Sequence, residues 1–228
     1  MSKNSQIKIK IEKIGRFLIQ DENYRHCPDL VYNPSKGIIP KGPIFEYEGR
    51  DLDGMGSIIV GLNPGPSGKG KGERNKFEKL FNQKGELSYK DYLNYWEKYI
   101  SNKHDYFKKL RNLADELELR GPILWTNLVK CESKKRGVLS VQTIRGDIYK
   151  YLFKEISIIP SGTLLIGAGE EAYKILSYRF PNRLVIGVPH PSSWGRNWLN
   201  NTNNEKIREL KRIIKEGTPV AIHTKDIG

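Results

Sequence analysis

Four short apolar runs, "SIIVGLN" (57–63), "PILWTNL" (122–128), "TLLIGAG" (163–169) and "LVIGVPH" (184–190), recur along the chain, and polar residues do not alternate within them. Continuous β-branched or leucine-rich runs of this length read as strands buried on both faces of a parallel sheet. In the gaps, apolar positions recur at helical spacing instead. That spacing predicts helices over 75–82, 90–118, 141–156, 170–180 and 204–215, with a further helical mix of Ile, Leu, Phe and charge over 7–22. The turn signals "NPSKG" and "PKGP" mark a Pro/Gly-punctuated loop over 28–56. Near the end, "TPVAIHTK" predicts an edge strand. Strands alternating with helices give right-handed βαβ crossovers. The expectation is an α/β fold: a three-layer αβα sandwich around a mostly parallel four-stranded sheet, in a single domain over 1–228 that no repeat or long linker divides.

In a parallel sheet the carboxyl ends of the strands share one rim, where ligands bind. Three of the four runs end there in polar groups with little role in a core: Asn63 in "GLNPG", Asn127 in "WTNLVKC" and His190 in "VPHPSS". Taken singly, a strand-end asparagine is commonly a cap and a histidine commonly a satisfied neutral imidazole. Three on one rim, two of them beside Pro–Gly or Pro–Ser turns, point to a site.

Residues Gly65 to Gly72 come within one residue of the G-x-x-x-x-G-K-[ST] phosphate loop, ending in Gly72 where the magnesium-binding hydroxyl belongs. Pro64 and Pro66 remove backbone N–H groups that such a loop offers to phosphate. "GPSGK" also fails as a nucleophile elbow, because Lys69 replaces its last glycine. A nucleotide hydrolase is thereby disfavoured.

Charge then narrows the partner. Lys and Arg number 39 against 26 Asp and Glu, a formal net charge of +13. An excess of that size suits a polyanion, nucleic acid ahead of membrane, with plain solubility as the alternative. Aromatic residues interleave with the charges between Phe77 and Tyr151, a mixture suited to stacking surfaces as well as to a core. Cys27 and Cys131 are the only cysteines, so neither a disulfide framework nor a structural zinc site is expected. No run approaches the roughly 20 apolar residues of a membrane span, and the N-terminus lacks an apolar signal core. A soluble, cytoplasmic chain acting as a monomer is the expectation.

"GLNPGP" and "HPSS" resemble the two signature motifs of the uracil-DNA glycosylase superfamily. The first is similar to the "GxNPG" form of its mismatch-specific and single-strand-selective branches. "TNLVKC" resembles the corresponding strand of the iron–sulfur branch, and "LLIGAGEEA" resembles the superfamily's third strand and following helix. The likeness covers about residues 27 to 200. It implies a monofunctional DNA glycosylase of base excision repair. Such an enzyme extrudes uracil or a related damaged base from single- or double-stranded DNA and hydrolyses its N-glycosidic bond with no cofactor and no metal.

Carried onto this chain, the resemblance makes Asn63 and His190 the catalytic pair. His190, as a neutral imidazole, donates to uracil O2 as charge develops there, and Asn63 orients the attacking water through its side-chain carbonyl. Asn127 offers one donor to uracil O4 and one acceptor to N3–H, a pattern that mispairs with cytosine. Gly61, Leu62, Gly65 and Pro66 of the first motif contact the base, and the small Gly65 leaves room for 5-substituted uracils. Phe77 is the candidate for stacking on the base. Trp194 stands where several branches insert a wedge into the vacated stack. Ser67, Lys69, Lys71, Ser192 and Arg196 are the candidates for gripping flanking DNA.

Two departures qualify the likeness. The iron–sulfur branch uses four cysteines and this chain has two, near positions expected for two of those ligands, so a relative without a cluster is implied. "HPSS" lacks the second proline of the commonest form. A non-catalytic nucleic-acid-binding protein of the same fold is the alternative reading.

Overall fold

A computed structural model of the chain describes residues 2–36, 38–64, 71–85, 87–135, 139–194 and 202–227, except for the side chains of 71–77 and 202–204. In chain order its elements are α1 (Lys3–Ile19), β1 (Leu30–Val31), β2 (Ile44–Glu46), β3 (Ser57–Gly61), α2 (Lys71–Lys84), α3 (Tyr89–Tyr95), α4 (Asp105–Glu116), β4 (Ile123–Asn127), β5 (Glu132–Ser133), α5 (Val141–Asp147), α6 (Phe153–Ile158), β6 (Leu164–Ala168), α7 (Glu170–Arg179), β7 (Val185–Val188), α8 (Thr202–Glu216) and β8 (Ala221–His223). The fold is mixed α/β, as the apolar runs predict.

The sheet has six strands in the order β2-β4-β3-β6-β7-β8, not the expected four. All four apolar runs are strands, and the pairs β3–β6, β6–β7 and β7–β8 are parallel. The C-terminal edge strand expected from "TPVAIHTK" forms as β8. The other edge, β2, comes from the turn-rich loop, where three residues between prolines and glycines leave too little pattern to read. A separate antiparallel pair joins β1 to β5.

By contact the chain divides into two compact units. One comprises Met1–Ile44, Asn63–Ser101 and Thr126–Ile158; the other comprises Phe45–Leu62, Asn102–Trp125 and Ile159–Gly228.

The first unit is largely helical. Ser2 caps α1 by accepting from the Ser5 N–H at 3.2 Å, and Ile7, Ile11, Leu18 and Ile19 form its buried face. The helix starts and stops earlier than the predicted 7–22. At its end Asp21 accepts from the Asn23 N–H and opens a 3₁₀ turn, Glu22–His26. Gly15 has no room for a Cβ because the Tyr89 ring lies against it, and the Tyr89 hydroxyl donates to the Pro43 carbonyl. The predicted helix over 90–118 is broken. α3 runs into a π-helical turn, Trp96–Ser101, where this stretch of the first unit ends; in the second unit His104 caps α4 by accepting from the Tyr106 N–H at 3.2 Å. A second π-helical turn, Ile148–Leu152, joins α5 to α6.

The second unit is built on the sheet. Val60, Gly167, Gly187 and His223 form one row across β3, β6, β7 and β8. The two glycines in that row let α7 sit directly on the strands: a Cβ at Gly167 would lie 2.6 Å from the Tyr173 Cα, and one at Gly187 would strike the Tyr173 and His223 rings. Arg50 and Arg111 tie the surrounding loops. Arg111 forks onto Glu46 at 2.7–3.1 Å, and the same carboxylate accepts from the Trp125 indole N–H at 2.9 Å.

Gly167→Ala should destabilise this unit by about 1–3 kcal/mol, because the clash is with backbone that cannot swing away; denaturant titration reads the loss. His223 generates a pH effect. Burial lowers its pKa below the usual 6.5, assisted by Lys225. The folded state therefore resists a proton that the unfolded chain accepts. The stability this reflects is present above about pH 6.5 and is lost as pH falls through the lowered folded value. Melting curves between pH 7.5 and 5 should fall more steeply for the wild type than for His223→Gln, which cannot take up the proton.

Candidate functional site

With β3, β4, β6 and β7 counted as the first to fourth strands of the chain's βα pattern, their order in the sheet is second, first, third, fourth. The direction of the connections therefore reverses beside β3 and β6, and in such sheets ligands bind outside the carboxyl ends at that switch point. Gly61, Ala168 and Val188 form the last row of the parallel strands there. Gly169 follows with φ 111°, a conformation that glycine adopts without strain, and a Cβ at that position would lie 3.9 Å from the His190 Cβ. At this edge Gly61 is buried at the end of β3, Leu62 is half-buried after it and His190 is exposed after β7.

His190 caps a short 3₁₀ turn, Pro191–Ser193, with Pro191 at its first position. The Ser192 N–H donates to His190 Nδ1 at 3.2 Å, and the Ser192 hydroxyl lies 2.8 Å from the same nitrogen. A backbone N–H can only donate, so Nδ1 is an acceptor and the neutral ring carries its proton on Nε2. α4 supports the turn from one side. Tyr106 packs against the imidazole with ring centroids 5.5 Å apart, and the Lys109 ammonium donates to the Pro191 and Trp194 carbonyls at 2.9 and 3.4 Å. Tyr106 and Lys109 stand one helical turn apart, so both reach the same loop. The sequence pattern did not single out either of them.

Trp194 closes the same turn and is buried. Its ring is 6% exposed, and its indole N–H donates to the Pro189 carbonyl at 2.7 Å. An amphipathic ring seated this way anchors the His190 turn. Ser192 is exposed, but its N–H and hydroxyl both serve His190.

Asn63 lies two residues past β3. Its side-chain amide donates to the Pro64 carbonyl at 3.1 Å and to Ser133 Oγ at 3.4 Å. A carbonyl can only accept, so the nitrogen must be the atom facing Pro64, which leaves Oδ1 as the acceptor end of the group.

Asn127 ends β4, half-buried. Its backbone carbonyl accepts from the Lys130 ammonium at 2.6 Å. Among the described residues its carboxamide has no hydrogen-bond partner. Lys130 is wholly buried and pairs with Glu155, also wholly buried, at 2.7 Å, and it donates to Thr126 Oγ1 at 2.6 Å. Thr126 in turn donates to the same Glu155 oxygen at 2.6 Å. The Lys130 backbone is held as well: its N–H donates to Asp147 at 2.7 Å and its carbonyl accepts from Lys41 at 2.7 Å. Asp147 also accepts from the Tyr24 hydroxyl at 2.9 and 3.0 Å. Burial raises the Asp147 carboxyl above its usual range, against the Lys130 and Tyr24 donors that draw it down.

The π-helical turn explains how two carboxylates eight residues apart reach one lysine. In a regular α-helix Asp147 and Glu155 would diverge by roughly 80° around the axis. One extra residue in the turn subtracts roughly 100° and returns them to within about 20° of one face. Lys130, Asp147 and Glu155 were not singled out from the sequence. The available signal was a lysine inside the apolar stretch "LVKC", which demands a buried carboxylate.

Cys131 is buried in the same apolar cluster as Tyr24, Leu18, Leu30, Val129 and Tyr151, with Cys27 packed against it. Burial raises the Cys131 thiol well above its usual range. Cys27 lies 3.5 Å from the Thr143 hydroxyl. Among the described residues no group of three or more His, Cys, Asp or Glu side chains could hold a metal ion. None of their helices is long and apolar enough to cross a membrane.

Gly65, Pro66, Ser67, Lys69 and Arg196 lie outside the described residues, and Lys71 and Phe77 belong to α2 with side chains outside them. The sequence matches no protein-family model, and no curated protein matches it significantly.

Proposed function

We propose that the chain is a monofunctional DNA glycosylase of the uracil-DNA glycosylase type, acting on uracil or a related damaged base extruded from DNA. The observation that carries this reading is the tautomer of His190. An exposed imidazole at the carboxyl rim of the sheet, with Nδ1 occupied by Ser192, presents Nε2–H as a neutral donor. Breaking the N-glycosidic bond leaves the electron pair on the base, and a fixed donor aimed at uracil O2 lowers that barrier without transferring a full charge. Asn63, its nitrogen turned to Pro64, holds the attacking water through Oδ1. The water adds to the sugar carbon, its proton passes to solvent, and an abasic site remains. Asn127 reads the base edge through its carboxamide, donating to O4 and accepting from N3–H. The motifs "GLNPGP" and "HPSS", with Asn127 midway, support the same assignment. The net charge of +13 suits a DNA partner.

The test is excision from an oligonucleotide carrying a single uracil, read as strand scission after alkali. Wild-type protein in excess should cut. His190→Ala should slow cutting by about a hundredfold or more, as loss of one preorganised donor does elsewhere. An intact oligonucleotide with wild-type protein, across uracil, 5-hydroxymethyluracil, thymine mismatch, hypoxanthine and xanthine, would refute the activity. Asn127→Asp, which replaces the amide donor with an acceptor, should narrow the preference for uracil over cytosine. An unaltered preference would remove Asn127 from base reading.

A further inference from the structure

From the geometry behind β4 we infer that the buried Lys130–Glu155 pair, bridged by Thr126, is a positioning device that sets the direction of the Asn127 carboxamide and hence base selectivity; the inference rests on the base-reading role proposed for Asn127. Lys130, Glu155 and Thr126 do not contact the base in this assignment and act through Asn127.

Stability alone does not account for the pair. Two charges taken out of water recover their desolvation cost only if their remaining hydrogen-bonding capacity is met. Here Glu155 Oε1 is buried and, among the described residues, has no hydrogen-bond partner. The pair does, however, immobilise one short stretch of chain from both ends. Lys130 Nζ reaches back to the Asn127 carbonyl and to Thr126 Oγ1, while Asp147 and Lys41 hold the Lys130 N–H and carbonyl. The turn over 127–130 is closed on itself by a side chain whose charge is pinned by Glu155. Among the described residues no hydrogen bond holds the Asn127 carboxamide, so its direction follows from where the backbone places its Cα and which staggered rotamers that allows. An amide discriminates uracil from cytosine only if its two ends keep their places, since a flip exchanges donor and acceptor. The clamp acts on the atoms that decide this.

The experiment compares wild type, Thr126→Val and the double variant Lys130→Met/Glu155→Gln. The double variant removes both charges together and keeps an acceptor for Thr126, so it avoids leaving a lone buried charge. Single-turnover excision is measured on oligonucleotides carrying one uracil or one cytosine, alongside melting temperature. In parallel, ¹⁵N relaxation of the Asn127 side-chain amide, assigned by its loss in Asn127→Asp, reports the order of that group. The double variant should melt near the wild-type temperature, lose at least about tenfold in its uracil-to-cytosine rate ratio, and show a disordered Asn127 amide. Thr126→Val should fall between. A purely structural role would lower the melting temperature and leave ratio and amide order unchanged. That result, or a folded double variant with wild-type ratio and order, would overturn the inference. If wild type excises no base, the glycosylase reading fails, and amide order still decides whether the clamp positions Asn127.

Discussion

The fully buried ammonium of Lys130 is the most demanding constraint in this molecule. Lys130 is satisfied only because Thr126, Glu155 and the Asn127 carbonyl converge on it from β4 and from the helix that runs from α5 into α6. Removing any one partner leaves charge or polarity stranded in a low-dielectric interior, where the cost is several kcal/mol. The helix obeys this requirement to the extent of taking up a π-helical turn, an irregularity that brings Asp147 and Glu155 to a common face. Backbone regularity is relinquished where two carboxylates must meet one short segment.

The rim of the sheet follows a different logic. The His190 ring is oriented by a neutral contact with Ser192, a tilted Tyr106 ring and a turn whose carbonyls are drawn toward Lys109. The Lys109 ammonium steadies the loop by donating to the Pro191 and Trp194 carbonyls, and His190 Nδ1 accepts from the Ser192 N–H. Asn63 is set in the same manner, by donating to Pro64 and Ser133. The candidate groups are all uncharged donors and acceptors of fixed direction, which suits preorganised electrostatic stabilisation better than proton abstraction by a strong base.

Particular residues show where the sequence was legible. The four strands were readable because each is apolar throughout, which only burial on both faces explains. Asn63, Asn127 and His190 stood out because polar residues ended those runs. The break between α3 and α4 was concealed by periodicity that continues through Trp96 and Tyr99. Only the polar stretch "SNKHD", where His104 and Asp105 begin a new helix, marked it. β2 was invisible because three residues cannot display a pattern. Where the Trp194 ring sits was not legible, because an aromatic in a loop looks the same in sequence whether its ring faces solvent or its own turn.

The order of apolar and polar residues alone determined that this chain forms a mixed α/β fold with parallel strands, and which polar groups stand at strand ends. Those are local properties, written in composition and period. Tertiary structure alone decided the proton position on His190, the facing of the Asn63 amide, the seat of Trp194 and the convergence of Asp147 and Glu155 on Lys130. Each depends on a hydrogen bond or a helical phase whose partners are set by packing in three dimensions, and a pattern of hydrophobicity along one dimension carries no record of angle.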